Sequence, residues 1–87
     1  MSLYGSSVEY GLHCLLYLVF PKEDFLPSSK DMAEFQGISP SYVAKLFTQL
    51  QKAGIVQSVE GIKGGFELKR PAKEISVLDV ADALEGK

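Results

Sequence analysis

The chain has 87 residues, 46% hydrophobic and 23% charged, a composition typical of one small globular domain rather than a disordered segment. Its most apolar run, residues 12–20, is too short to span a bilayer, and its single cysteine excludes a disulfide framework. We therefore expect a cytoplasmic protein with no membrane partner, and a core this small favours oligomerisation.

Charge is segregated along the chain, although the formal net charge is -2. Residues 1–38 carry two lysines against five acids, and residues 74–87 carry one lysine against four acids. Residues 39–73 carry six basic residues against two acids, a local balance of +4. Such a basic centre is expected where one surface meets phosphates, although solvated lysines on an ordinary surface would give the same count.

Length and apolar spacing predict a first helix over residues 8–20. Apolar side chains surround it almost completely, so it must be covered on two sides, partly by another subunit or a further segment. Cys14 on this helix is more typical of a small buried hydrophobic residue than of a ligand. After Pro21, the polar residues 22–24 and Pro27 form a connector.

A second helix is predicted over residues 29–36. Ser28 or Ser29 caps its start, and Asp31 lies in its first turn, where a carboxylate is favoured. Its inward-facing residues are expected to be Met32, Ala33 and Phe35.

A tight turn joins this helix to a third over residues 40–53. Gly37 ends the second helix, because a left-handed residue closes a helix and glycine adopts that conformation readily. After Ile38, Ser39 caps the next helix and Pro40 occupies its first position. This arrangement is typical of a helix-turn-helix unit.

A wing and a final helix complete the predicted order. Residues 55–69 form two short strands around a glycine-rich tip, and residues 77–84 form a helix capped by Ser76, with Asp79 completing the capping box. The whole predicts a mainly α fold with a small β-hairpin, a winged helix-turn-helix domain over residues 1–87.

The third helix and the wing tip carry the candidate DNA-binding residues. In a helix-turn-helix unit the N-terminal residues of this recognition helix reach base edges in the major groove. The base-contacting candidates are Ser39, Ser41, Tyr42 and Lys45, and the phosphate-contacting candidates are Thr48, Gln49 and Lys52. The alternative is an amphipathic surface helix without a ligand.

At the wing tip, Lys63 supplies a positive charge, and Gly64 and Gly65 allow close backbone approach to a phosphate or a minor groove. The alternative is a tight hairpin that needs glycine for its geometry alone.

Glu9 and His13 lie four residues apart, on one face of the first helix. Either they form a hydrogen-bonded ion pair at a subunit contact, or they are metal ligands, because carboxylate and imidazole both coordinate iron. No nucleophile with an adjacent base is found, so an enzyme is not expected.

Several segments together resemble the Rrf2 family of bacterial winged helix-turn-helix regulators, of the IscR, NsrR and CymR type. They are residues 37–47, Leu50, and residues 53–56, 61–66 and 74–80. The resemblance implies a homodimeric repressor that binds a palindromic operator in double-stranded DNA and couples a redox, iron-sulfur or metabolic signal to promoter binding. It also implies a C-terminal dimerisation and sensor segment that these 87 residues lack. A winged-helix protein-interaction module without DNA binding is the alternative.

Residues 8–14 resemble a redox-sensing branch of that family. This implies Glu9 and His13 as ligands of a [2Fe-2S] cluster in a full-length dimer, although Gln36 stands where the branch has a histidine. Two further departures concern DNA, since Ala44 and Glu60 stand where family members often carry an acidic or amide residue and an arginine. The operator sequence therefore cannot be transferred.

Overall fold

The computed structural model describes residues 5–20 and 25–86. These residues form four α-helices, a 3-10 turn and a two-stranded antiparallel hairpin. In chain order the elements are α1 (Ser6–Val19), α2 (Ser29–Gln36), α3 (Pro40–Lys52), β1 (Val56–Val59), β2 (Gly65–Leu68), the 3-10 turn (Ala72–Glu74) and α4 (Val77–Glu85). The predicted mainly α, winged helix-turn-helix fold is therefore confirmed.

The element ends differ from the predicted ones by one or two residues. Helix α1 begins at Ser6 and ends at Val19 rather than spanning 8–20, α3 ends at Lys52, and α4 extends to Glu85. Terminal turns are the part of a helix that periodicity defines least well. Residues 21–24 of the predicted connector lie outside the described residues, and Pro27 lies in neither a helix nor a strand. No described helix is long and apolar enough to cross a membrane.

Capping boxes fix the starts of α2 and α4. The Ser28 hydroxyl accepts the Asp31 N–H at 3.1 Å, and the Asp31 carboxylate accepts the Ser28 N–H at 2.9 Å. Ser76 and Asp79 form the same reciprocal pair, with both distances 3.0 Å. Each box satisfies two backbone N–H groups that a helix start would leave unpaired.

The turn between α2 and α3 has the predicted chemistry. Gly37 lies in the left-handed region, with φ +68°, and the Ile38 N–H returns to the Ala33 carbonyl at 3.0 Å. The Ser39 hydroxyl then accepts the Tyr42 N–H at 3.2 Å, with proline at the first helical position. These contacts set the angle at which α3 leaves the turn.

The core lies where α3 meets the other helices and the hairpin. Its fully buried side chains (relative exposure under 2%) include Val8, Cys14, Met32, Val43, Phe47, Leu50, Ile55, Val56 and Val80. Cys14 is thus a buried apolar residue, as its neighbours in sequence indicate.

Phe35 was expected to face inward but is 51% exposed. Helix α2 buries Met32 and Ala33, and at about 100° per residue Phe35 lies roughly 110° from the centre of that face. Its ring instead lies against Tyr17 of α1, with centroids 4.9 Å apart. The inward assignment of Phe35 is therefore wrong.

Candidate nucleic-acid interface

Four exposed side chains form one stripe along α3: Ser41, Lys45, Thr48 and Lys52. At about 100° per residue, these positions fall within an arc of about 60°. The opposite side of α3 carries its buried residues, Val43, Leu46, Phe47 and Leu50. The core therefore fixes the orientation of the helix and turns this stripe, which we call the α3 stripe, to solvent.

Two predicted contact residues lie beside the stripe. Tyr42 and Gln49 are half-buried, and the Tyr42 ring packs edge-on against Tyr10 of α1, with centroids 5.9 Å apart. Tyr42 therefore holds α3 against α1, and its ring is less free to reach a ligand than the side chains of the stripe.

Two of the predicted hydroxyls are already engaged with backbone. Ser39 is the N-cap of α3, and its oxygen lies 3.4 Å from that of Ser41. The Thr48 hydroxyl donates to the Ala44 carbonyl at 2.9 Å. Both oxygens can still accept a hydrogen bond, whereas the two lysines of the stripe have no acceptor among the described residues.

The wing is tied to the rest of the domain through its second strand. The Phe66 N–H donates to the Pro27 carbonyl at 2.9 Å, and the Lys69 N–H donates to the Ile55 carbonyl at 2.9 Å. The register pairs Val56 with Leu68 and Val59 with Gly65. The Lys69 bond continues the hairpin by one pair, so the hairpin is tied to the segment before α2 through Phe66 of β2.

Gly64 and Gly65 have a structural reason to be glycine. A Cβ at Gly64 would collide with the Val59 carbonyl oxygen, and a Cβ at Gly65 would collide with the carbonyl oxygens of Leu26 and Pro27. This close backbone packing favours the geometric alternative for both glycines. Their contact with DNA stays a prediction.

The wing tip presents Ile62 and Lys63, both exposed. Across an open groove from the wing lies Lys30 in the first turn of α2; the groove is lined by residues 28–30, 58–61 and 64–66. The charge count over residues 1–38 does not indicate Lys30, because acids dominate that segment. The helix dipole disfavours a cation in a first turn, so a lysine at position 30 is unusual and could have been noticed in the sequence for that reason.

Arg70 does not contribute a free charge to this surface. Its guanidinium lies 3.8 Å from the Asp79 carboxylate and 3.4 Å from the Glu74 carbonyl, which ties it to the 3-10 turn and α4. The local excess of +4 over residues 39–73 therefore overstates the charge that the α3 stripe and the wing can offer.

Glu9 and His13 are both exposed on α1, and neither a hydrogen bond nor a salt bridge joins them within the described residues. Nowhere in residues 5–20 and 25–86 do three histidine, cysteine, aspartate or glutamate side chains lie close enough to hold a metal. The described residues of one chain therefore do not complete a cluster site around Glu9 and His13.

Cys14 lies in the core and not on the exposed face that carries Glu9 and His13. Its sulfur accepts the Gln36 amide N–H at 2.8 Å, while the amide oxygen of Gln36 is buried without a partner among the described residues. Burial raises the pKa of the Cys14 thiol, and the Gln36 hydrogen bond offsets this only in part. The thiol is thus held neutral at physiological pH.

The family model for Rrf2, described as an iron-dependent transcriptional regulator, matches residues 4–87. Among solved structures, the chain is similar to CymR, the global cysteine regulator of B. subtilis, with a TM-score of 0.88 and 29% identity over 100% of this chain and 67% of that one. T. potens IscR has a TM-score of 0.85 and 35% identity, over 99% of this chain and 62% of that one. The oxidized form of Staphylococcus aureus CymR has a TM-score of 0.85 and 36% identity, over 100% of this chain and 69% of that one.

The chain spans 62% to 69% of the length of these three proteins. The similarity extends over nearly the whole of this chain. Together with the family model over residues 4–87, this similarity shows that the chain belongs to the Rrf2 family of transcriptional regulators, which are not enzymes.

Proposed function

We propose that this chain is the DNA-binding part of a sequence-specific transcriptional regulator, with α3 in the major groove and the wing at the adjacent minor groove. The observation that carries this proposal is the α3 stripe, which places Ser41, Lys45, Thr48 and Lys52 on one exposed face opposite the core. A helix that follows a tight turn and exposes such a face is suited to the major groove.

The proposed contacts divide by position along the stripe. Ser41 and Lys45, near the start of α3, reach base edges, with Ser39 and Tyr42 beside them. Phosphates are contacted by Thr48, Gln49 and Lys52, by Lys63 and the Gly64 and Gly65 backbone of the wing, and by Lys30. The lysines act as point charges that displace the counterions of the duplex.

We propose a homodimer as the binding form, because a palindromic operator presents two equivalent half-sites. An exposed apolar face on α1 and α4 supports this proposal, with Leu16 at 54%, Val77 at 46% and Leu78 at 60% exposure. Leu16 and Val77 also line one groove between the two helices. The proposed outcome of binding is repression.

The proposed input is a redox, iron-sulfur or metabolic signal, supported by the similarity to CymR and IscR and by the iron-dependent description of the family model. Glu9 and His13 are proposed as the ligands that one chain contributes to a [2Fe-2S] cluster completed by other residues of a full-length dimer. Visible absorption of the anaerobically purified gene product tests this. A colourless, iron-free protein would refute the cluster.

DNA binding is tested by fluorescence anisotropy with a labelled duplex that contains the promoter of the chain's own gene. The logarithm of affinity should fall linearly with the logarithm of salt concentration, with a slope of about 0.9 per phosphate contact. K45A and K52A should each weaken binding, and K52A should lower the slope by about 1.

K73A is the matched control. Lys73 is exposed on the 3-10 turn, an element that contributes to the groove with α1 and α4 rather than to the α3 stripe. K73A removes the same charge and should leave both affinity and slope nearly unchanged. Affinity that does not depend on salt concentration would refute the proposed surface. A loss of affinity in K73A as large as that in K45A would also refute it.

The second candidate is a protein-interaction module, favoured by one cluster of exposed aromatic side chains. Tyr17, Phe20, Phe25 and Phe35 line a pocket between α1 and α2, and Phe20 is 75% exposed. This alternative predicts a protein partner that binds the cluster and no salt-dependent binding to any duplex.

A further inference from the structure

Ile62 is the most exposed large apolar side chain in the described residues. Its relative exposure is 105%, against 75% for Phe20 and 51% for Phe35. It lies at the tip of the wing and lines an open groove with Phe25 and Leu26, but its full exposure means that no apolar area buried among the described residues explains an isoleucine there. A single exposed apolar residue is common on protein surfaces, so its position on the wing must carry the inference.

The wing holds this side chain outward. The Gly64 N–H donates to the Gly61 carbonyl at 3.0 Å and closes the tip turn around Ile62, while Phe66 anchors the return strand to Pro27 and to Phe47. Isoleucine is itself stiff at χ1. A ligand would therefore meet an apolar side chain that loses little freedom when it is bound.

The tip carries three long side chains, Glu60, Ile62 and Lys63, which differ in how well they suit a minor groove. The groove has a strongly negative potential, which disfavours Glu60 and attracts Lys63, either into the groove or to the flanking phosphates. Neutral Ile62 lies between them, and isoleucine is among the apolar residues that enter minor grooves. It is the tip side chain that can meet the floor of the groove with an apolar surface.

The floor of the groove then discriminates between base pairs. A·T pairs present acceptors and leave room for van der Waals contact, whereas guanine projects its 2-amino group, a hydrogen-bond donor, into the groove. Isoleucine has no acceptor for that donor, and covering a donor without a partner costs free energy. An apolar tip therefore disfavours guanine at the base pairs it covers.

We propose that Ile62 is a specificity-determining residue that packs in the minor groove and selects against the guanine 2-amino group. The inference rests on the proposed DNA-binding function. It gives the wing a role in reading sequence where Glu60 replaces the arginine common in the family.

The test uses three labelled duplexes that share the promoter half-site and differ only in the flanking step under the wing: A·T, G·C or inosine·C. Inosine lacks the 2-amino group but keeps the major-groove acceptors of guanine, so the inosine·C and G·C duplexes differ in the minor groove. The A·T and inosine·C duplexes should bind at least about fivefold more tightly than the G·C duplex, because one donor is left unsatisfied there.

Two variants distinguish a preference caused by the Ile62 contact from a preference caused by the flexibility of the DNA. I62A should bind all three duplexes with nearly equal affinity, whereas K63A should bind all three more weakly and keep the preference. Because Ile62 is fully exposed, I62A should fold normally, which its thermal unfolding checks. A preference that persists in I62A would come from the DNA alone and would overturn the inference.

Failure of the proposed function and failure of the inference about Ile62 give different results. If no duplex shows salt-dependent binding, the proposed function fails and the inference fails with it. If binding is salt-dependent but equal for inosine·C and G·C, only the inference fails. Unchanged affinity of I62A for every duplex would also overturn it.

Discussion

The rings of Phe47 and Phe66 lie with centroids 4.7 Å apart and planes tilted by 53°, and this contact joins α3 to the strand β2 of the wing. Phe47 is fully buried and Phe66 is half-buried. The spacing between the α3 stripe and the wing tip is thus set by packing in the core.

The first prediction concerns Phe66→Ala. Because the ring is half-buried, its removal should cost about 2 kcal/mol, roughly half the loss for a fully buried phenylalanine. The wing should also loosen, so DNA affinity should fall although no charge is lost. Urea unfolding and duplex anisotropy measure the two effects.

Phe35→Ala is the matched control, because Phe35 is 51% exposed and lies on α2 away from the wing contact. It should cost about 1 kcal/mol, less than Phe66→Ala because Phe35 buries a smaller area, and should not alter duplex affinity. Equal losses of affinity in both variants would contradict a coupling of α3 and the wing through Phe66.

The second prediction compares Gly37→Ala with Gly65→Ala. A Cβ at Gly37 has nothing within 4 Å, so only the left-handed φ of +68° opposes it, at a cost of about 1 kcal/mol. A Cβ at Gly65 would instead collide with the Leu26 and Pro27 carbonyls. The Gly65 variant should be far less stable in urea, and a smaller loss there than at Gly37 would refute the close packing.

The third prediction concerns the Cys14 thiol, which is buried with a raised pKa. A neutral, inaccessible thiol reacts slowly, so Ellman's reagent should modify the folded protein only as fast as it opens and should react at once in denaturant. A C14A protein that carries K73C is the control and should react immediately while folded. Rapid modification of native Cys14 would show that it is accessible.

The fourth prediction concerns the cap of α4. The Ser76 N–H that donates to Asp79, with help from Arg70, lowers the pKa of Asp79 below its usual value of 3.8. The unfolded chain therefore binds the proton more tightly. The carboxylate stabilises the fold above its unfolded pKa, and that contribution is lost as the pH falls through the lower folded pKa.

D79N should accordingly lower the Tm at neutral pH, and the difference from the wild type should close in strongly acidic solution. S76A should cost about 1 kcal/mol at neutral pH. D82N removes the same charge from an exposed position outside the capping box and should have a smaller effect. A D79N difference that did not change with pH would contradict the cap as its cause.

Local chemistry made much of the fold predictable. Ser39, Pro40 and Gly37 act within a few residues of themselves, so the turn before α3 can be predicted from their spacing. The same holds for Ser76 and Asp79, whose box is complete within one helical turn.

Features that depend on distant contacts could not be predicted. Phe35 was misplaced because an apolar side chain at the edge of a helix face can turn to the core or to a neighbouring aromatic ring. The structural need for Gly65 arises from Leu26 and Pro27, and the engagement of Arg70 arises from Asp79. No sequence pattern indicates these pairs, because folding alone brings them together.

The α3 stripe could be predicted as a set, but the roles within it required the structure. Tyr42 and Gln49 are close in sequence to the stripe and yet lie beside it, since the burial of Val43 and Phe47 fixes the rotation of the helix. Lys30 was missed because its sequence neighbours are acidic.

The most direct test of the central claim is an NMR titration of the isotope-labelled chain with the promoter duplex. The claim predicts that amide shifts change along the α3 stripe and at the wing tip, with Ser41, Lys45 and Lys63 among them, and that Lys73 and the exposed face of α4 stay unchanged. Shifts confined to α4 and the 3-10 turn, with the α3 stripe unaffected, would contradict it.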